Sequence, residues 1–331
     1  MKILVSLAAV GLLFLVGLLG GLGRAGEVVF GVLIPYPALV VFLGGLIYRV
    51  LSWAKAPVPF RITTTCGQEK SLPWIKQAKI DNPSGLPGVV IRMALEVLVF
   101  RSLLRNTKAK LYPAENRLAY GTSLGLWAAA MAFHWSMLVI LIRHLRLALS
   151  PVPAVVTFVE KADGLLETGV PVFFVTTILF LAALVFLLGR RLLDPQVRYI
   201  SLVDDYFPLL LLLGIGLSGF WLRHFAKADV VGIKELVVGL ASFHPVLPAA
   251  IHPLFFGHLF LVSMLLIYFP FGKLVHMPGV FLSPTRNLAN NNRRVRHVNP
   301  WDYPVKTHPY PEYEDEWREK MKAAGLPVEK A

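Results

Sequence analysis

Charge is scarce in this chain. Only 16% of its 331 residues are Asp, Glu, Lys or Arg, where an ordinary soluble domain carries about a quarter, so a soluble globular enzyme is a poor description of it. Cysteine is scarcer still. Cys66 stands alone, which excludes a disulfide framework, a cysteine-held zinc site and a self-contained iron–sulfur cluster. Glycine lacks the three-residue period of collagen. Apolar residues reach 56%, too many for a disordered chain. What the sequence has in quantity is long, uncharged apolar runs.

A membrane helix needs about 20 predominantly apolar residues to cross about 30 Å of hydrocarbon. Six stretches qualify: Ile3–Leu22, Val28–Ile47, Leu124–Ile142, Val170–Leu188, Tyr206–Leu222 and Pro253–Gly272. The first follows Lys2 as a signal peptide would, but its run exceeds a signal core and Gly20–Glu27 makes a poor cleavage site, so we expect an uncleaved helix. The fold class expected is an all-α integral membrane protein with six transmembrane helices. With both termini cytoplasmic, 26 of the 33 Lys and Arg fall on the inner side, as the positive-inside rule requires. The net charge of +13 is thereby a topology signal and an inner-leaflet contact, and nucleic acid is not an expected partner. The expected location is the cytoplasmic (inner) membrane of a bacterium or archaeon, with multiple passes.

Two segments lie outside the spans on the inner side. The loop Ser52–Arg117 opens with the Pro-rich, polar stretch Ala56–Gly88. It continues into Val89–Leu104, where Arg92 and Glu96 share a helical face. We expect an interfacial amphipathic helix there, with Arg101 and Arg105 near headgroups. The tail beyond Ser283 is first basic (Arg293, Arg294, Arg296), then rich in Pro and aromatics (Trp301, Tyr303, Tyr310), and ends in the charged run Glu312–Lys322. Composition leaves it open whether this is a disordered end or an extended arm laid on a soluble partner. No internal or inverted repeat is visible.

Ionisable groups inside spans are costly and mark function. The third and sixth stretches hold no Asp or Glu, yet each carries histidine: Phe133-His134-Trp135-Ser136 and Arg143-His144 on one, Phe256-Gly257-His258 and then Phe269-Pro270-Phe271-Gly272-Lys273-Leu274-Val275-His276 on the other. In an antiparallel pair the first histidine of one meets the last of the other. That pairs His134 with His276 on the inner side and His144 with His258 on the outer side. Two neutral imidazoles facing one another in an apolar pocket are what a haem b requires. Packing and proton-relay roles stay open on spacing alone. The depths do not match well: ten residues span about 15 Å of helix and eighteen about 27 Å. The helices must tilt or bend, or His276 must lie past a helix end, and the mismatch is worst for His134 with His276. Arg143, Arg146 and Lys273 stand where haem propionates would want cations, or else snorkel to headgroups. His244 and His252 fall in a Pro-rich outer segment that reads best as an interface loop. His224, His297 and His308 read as surface residues.

At Phe133–Arg146 and Phe256–Pro278 the sequence resembles the membrane cytochrome b family that includes the gamma subunit of respiratory nitrate reductase. The histidine spacings of 10 and 18 and the Phe-Pro-Phe-Gly-Lys-Leu-Val-His ending carry the likeness. The resemblance implies two haems b, with His134 and His276 on the inner iron and His144 and His258 on the outer. An N-terminal helix pair (residues 1–51) with one helix more than the gamma subunit, a large inner loop (52–117) and a longer tail (283–331) flank the gamma-like bundle (118–282). Those additions, with Phe60–Gln68, Lys70–Lys76 and Asn82-Pro83-Ser84-Gly85, resemble the DsrM-type cytochromes of DsrMKJOP complexes in dissimilatory sulfur metabolism.

The resemblance implies an electron-transfer subunit of a quinol-linked oxidoreductase. Menaquinol is oxidised beside the outer haem, or a quinone reduced there in sulfur oxidisers. Electrons pass through the inner haem to a cytoplasmic iron–sulfur subunit resembling DsrK, which acts on the trisulfide of DsrC. Other DsrMKJOP subunits are further expected partners, and Ala56–Gly88 and Ser283–Ala331 are the expected contact segments. Cys66 reads as structural or incidental. Three rivals remain: the cytochrome of another quinone-linked enzyme (heterodisulfide, nitrate or hydrogenase type), a haem-free anchor, and a proton-coupled transporter. A transporter calls for mid-membrane acids and symmetry between halves, which are not seen; an anchor leaves four histidines unexplained. No residue type in the outer half marks a quinol site beyond the weak candidates His252 and Asp229.

Overall fold

The structure, a computed structural model, describes residues 1–56, 78–104, 107–164, 172–249, 251–291 and 306–329. Phe60–Lys76 with Cys66, Arg105, and the basic run with His297 and Trp301 lie outside the described residues. Among the described residues six helices are long and apolar enough to cross a membrane. They are α1 (Lys2–Gly20), α2 (Arg24–Lys55), α4 (Leu124–Ala148), α6 (Val175–Leu193), α7 (Val203–His224) and the sixth, Pro253–Phe271, whose regular part is α9 (Pro253–Tyr268). The expected helical, six-span architecture is present, with one two-stranded hairpin in the inner loop that the sequence reading did not anticipate.

Between the spans come the inner helix α3 (Leu86–Val99), the hairpin β1 (Thr107–Tyr112) and β2 (Arg117–Thr122), and the outer helices α5 (Ala154–Asp163) and α8 (Val230–Ala241). Two more helices, α10 (His276–Leu282) and α11 (Tyr310–Ala323), follow the last span. The hairpin strands are antiparallel, in register from Thr107 opposite Thr122 to Tyr112 opposite Arg117.

Local chemistry sets the element ends. α2 runs past both ends of its apolar stretch, and within it Val29–Leu33 winds as a π-helical turn, with the Ile34 amide donating to the Val29 carbonyl at 2.9 Å. Pro35 and Pro37 follow immediately, and a proline that lacks an N–H and crowds the preceding turn loosens a helix at that point. Asp194 caps a short helix by accepting from the Gln196 and Val197 amides, Asp229 caps α8, and His252 caps α9 through its Nδ1. Asp204 and Asp205 in the first turn of α7 and Arg223 and His224 in its last complement the helix dipole.

α1 packs closely on α9 and also on α7. Glycine permits the approach: a Cβ on Gly17 would stand 2.8 Å from the Phe260 Cβ and 3.0 Å from the Gly257 Cα. In a bilayer, where apolar burial gives helices no preference for one another over lipid, such small-residue contacts supply the packing. Gly17→Leu is expected to push α1 off α9, and overpacking of this kind costs about 1–3 kcal/mol. The check is the thermal midpoint in detergent, together with the yield of a disulfide engineered between α1 and α9; unchanged values for both would refute the contact.

The inner segments are knit together by buried polar groups. Arg92, expected on an interfacial face, is instead buried. Its guanidinium donates to the carbonyls of Arg286, Leu288 (2.8 Å) and Asp81 (3.2 Å). Arg101, expected near headgroups, pairs with Asp81. Two indoles from α4 hold the C-terminus of α3: Trp127 Nε1 donates to the Val99 carbonyl at 2.8 Å and Trp135 Nε1 to that of Leu98 at 3.1 Å. They satisfy carbonyls that a helix end otherwise leaves unpaired. The tail, read as disordered or extended, contains the regular helix α11, in which Glu314 is buried and accepts from the Glu329 amide at 2.7 Å.

Candidate functional site

α4 runs antiparallel to the last span, and the structure brings the four candidate histidines into the two expected neighbourhoods. The His134 and His276 rings lie 6.0 Å apart, centroid to centroid, with planes at 78°. The depth mismatch is resolved by a break in the chain. α9 stops at Tyr268, two short 3₁₀ turns follow (Phe269–Phe271 and Lys273–Val275) with Gly272 extended between them, and His276 opens a separate helix. His144, near the outer end of α4, lies within electrostatic reach of His258 on α9.

Each of the four rings has its Nδ1 engaged. Nδ1 of His134 faces the Ala130 carbonyl at 2.8 Å, that of His144 the Ile140 carbonyl at 2.7 Å, and that of His276 the Lys273 carbonyl at 2.8 Å. A carbonyl only accepts, so these nitrogens carry the proton and Nε2 keeps a free lone pair. His258 engages its Nδ1 through Ser218, whose Oγ lies 2.9 Å away and also 3.0 Å from the Ile215 carbonyl. Gly219 gives the ring room, since a Cβ there would stand 3.1 Å from its Cε1. Phe100, left-handed at the end of α3, and Phe133 meet His134 edge-on, each at 4.8 Å.

These residues fit a haem. Two imidazoles bound to one metal through Nε2, at about 2 Å per bond, put their centroids about 6 Å apart, and the inner pair has that separation. Ligand imidazoles generally donate their other N–H to a fixed acceptor, as the rings of His134, His144 and His276 do here. Among the described residues, no cluster of three or more His, Cys, Asp or Glu is arranged to hold a simple metal ion.

The other histidines separate from these four. His252 accepts the Leu254 amide at 3.2 Å through Nδ1, so its proton is on Nε2 and its work is capping. His224, read as a surface residue, is half-buried and stacks on Phe173 at 4.2 Å. His244 and His308 are exposed. Asp229 is engaged as the cap of α8.

The cations also differ from expectation, since all three have carboxylate partners within the chain. Arg143 pairs with Asp163 at 2.9 Å with both side chains buried, Arg146 pairs with Glu160, and Lys273 pairs with Asp205 at 2.6 Å. Arg143 also donates to Thr177 Oγ1 at 3.0 Å. Its guanidinium lies 3.8 Å from the Phe174 ring, which Arg223 also approaches at 4.3 Å. Sequence reading missed Asp163 as the buried carboxylate of the outer end, because one acid at a loop edge carries no local signal.

A sequence profile described as the nitrate reductase gamma subunit matches residues 89–297. The chain belongs to that family. The match covers α3 to α10 and therefore all four histidines. The chain is also 43% identical over 282 residues to a protein of Archaeoglobus fulgidus called an Hdr-like menaquinol oxidoreductase cytochrome b-like subunit, covering 83% of this chain and 84% of the relative. A relative of the same description from Archaeoglobus profundus is 39% identical over 300 residues, covering 88% and 87%. With six apolar helices and this family membership, the protein is a multi-pass membrane protein.

Proposed function

We propose that this chain is the membrane cytochrome b subunit of a menaquinol-linked oxidoreductase, carrying electrons between the quinone pool and a soluble iron–sulfur partner of the heterodisulfide-reductase type. The observation that carries the reading is the arrangement of four histidines: each has its Nδ1 hydrogen-bonded and a second such ring nearby, and in His134, His144 and His276 the carbonyl partner leaves Nε2 with a lone pair. His144 and His258 are the outer ligand pair and His134 and His276 the inner pair. Two haems b bound there would supply reversible one-electron carriage through the membrane. The protein's share is to fix four imidazoles at two depths, hold their tautomers, and shield the inner pair with Phe100 and Phe133.

The names of both relatives, menaquinol oxidoreductase subunits, support menaquinol as the electron donor. A single cysteine cannot hold an iron–sulfur cluster, so disulfide chemistry belongs to another subunit. In the finer reading, set by the resemblance of Phe60–Lys76 and Asn82–Gly85 to DsrM-type cytochromes, that subunit resembles DsrK and acts on the trisulfide of DsrC. The inner loop and tail are its contact segments. The gamma-like bundle, the N-terminal helix pair, the inner loop and the tail are then four working parts. Both termini face the cytoplasm, where the basic residues concentrate.

The test is optical. A menaquinol analogue added to the oxidised, purified protein should develop a b-type reduced spectrum, and pyridine haemochrome should count two haems per chain. A protein made in haem-replete cells that carries no haem would refute the cytochrome reading.

A further inference from the structure

An apolar cleft of about 480 Å³ lies between α1, α7 and α9, within the range of about 300–1,000 Å³ usual for small-molecule sites. Leu7, Gly11, Phe14, Leu213, Leu217 and Trp221 contribute to its walls, and Ser218 is the one hydroxyl among the lining residues. Leu7, Leu217 and Trp221 are each about half exposed, so the cleft opens sideways, where a bilayer would lie. One wall, α1, precedes the part of the chain matched by the family profile. We propose that this cleft binds menaquinol, with the quinol hydroxyl donating to Ser218 Oγ. The proposal rests on the reading of His258 as an outer haem ligand and of menaquinol as substrate.

Three observations on the chain favour a quinol. The first is the state of Ser218. Its Oγ lies 3.0 Å from the Ile215 carbonyl and 2.9 Å from His258 Nδ1; its one proton goes to one of these two acceptors, and in both arrangements at least one lone pair is left to accept a hydrogen bond. A phenolic hydroxyl supplies that donor; a fatty acyl chain and an oxidised quinone do not. The second is depth. Ser218 stands six residues before the end of α7, about 9 Å along the axis from the outer end. The cleft continues inward past Leu213 to Leu210 and Leu7, which suits a ring near the outer surface with an isoprenoid tail beneath it. The third is connection: Ser218 touches the histidine that the outer site uses, so a ring held there is one hydrogen bond from that imidazole. Trp221, stacked on Phe225 at 4.5 Å, adds a flat apolar surface about one turn above.

Gly11 offers a clean test. A Cβ built on it meets nothing within 4 Å, so α1 accepts a larger residue there and the new side chain occupies space at the cleft. The haem-loaded, full-length protein in lipid nanodiscs is titrated with a fluorescent hydroxyquinoline N-oxide, a quinol mimic with an O–H donor. One molecule is expected per chain, displaced more readily by menaquinol than by menaquinone. Gly11→Phe should weaken binding at least tenfold, while Gly11→Ala keeps it. Wild-type affinity in Gly11→Phe would overturn the assignment to this cleft and leave the cytochrome reading standing. No binding to the wild-type protein would remove menaquinol from both readings. If Gly11→Phe does not accumulate, an azido-quinone photo-crosslinked to the wild-type protein decides. Adducts within Leu7–Leu18 or Leu210–Trp221 support the site, and adducts confined to other helices overturn it.

Discussion

His276→Ala is expected to remove one b-type haem from the purified protein and leave the other. The argument starts from the paired rings. His134 and His276 lie 6.0 Å apart, centroid to centroid, with both Nδ1 atoms donating to carbonyls of their own helices or turns. On the proposed assignment, deleting either imidazole would leave the inner haem one protein ligand of two, while the outer pair keeps its own partners at Ile140 and Ser218. Pyridine haemochrome should fall from two haems per chain to one, and one component should leave the reduced-minus-oxidised spectrum. His134→Ala should delete the same component, and His144→Ala and His258→Ala the other. His252→Ala should keep both haems, because that ring caps α9 through Nδ1, and losing a cap costs only about 0.5–2 kcal/mol. A set in which His134→Ala and His276→Ala delete different components would refute the pairing.

Asp163→Ala should destabilise the protein by about 3–5 kcal/mol, the usual cost of stranding one partner of a buried ion pair. Asp163 holds three groups of the outer end at once: the Arg143 guanidinium at 2.9 Å, the Thr176 amide at 2.9 Å and the Thr176 hydroxyl at 2.6 Å. Removing it leaves Arg143 buried against Phe174 and Thr177 without its countercharge. Since Arg143 adjoins His144, the outer haem should also become easier to lose. The double variant Arg143→Met with Asp163→Leu removes both charges and should recover most of the stability, as paired apolar replacements generally do. The readouts are the thermal midpoint in detergent and the temperature at which haem is released. A midpoint for Asp163→Ala equal to wild type would show that the pair contributes nothing.

How much could be read from the chain differs from element to element. The spans were legible because crossing hydrocarbon is a demand on each segment alone: 20 apolar residues satisfy it whatever their neighbours are. The histidines were legible as a set of four for the same reason, since an imidazole inside a span is costly wherever it points. Their pairing was half legible. Spacing named the partners, but the mismatch between 10 and 18 residues had no answer until the chain was seen to leave its helix at Phe269–Gly272 and start another at His276. Pro270 and Gly272 marked a break there without showing its size.

Arg92 shows the opposite case. A basic residue four before Glu96 on an apolar helix reads as an interface, and the carbonyls of Arg286 and Leu288 that bury it come from 194 and 196 positions later. Arg143, Arg146 and Lys273 read as free cations because Asp163, Glu160 and Asp205 lie on other elements. The tail helix α11 was hidden by composition: its few apolar positions suggest no core, and the Glu329 amide from which buried Glu314 accepts lies 15 residues further on.

The amino-acid sequence by itself determined the membrane spans, the distribution of positive charge and the four histidines, because hydropathy and charge act on each segment without reference to the rest. Only the tertiary structure decided which Nδ1 atoms carry protons, which cations are paired, and where Ser218 opens onto a cleft. Hydrogen bonds and ion pairs act over a few ångströms, and the groups that make them here are brought together by helices packing across the whole length of the chain.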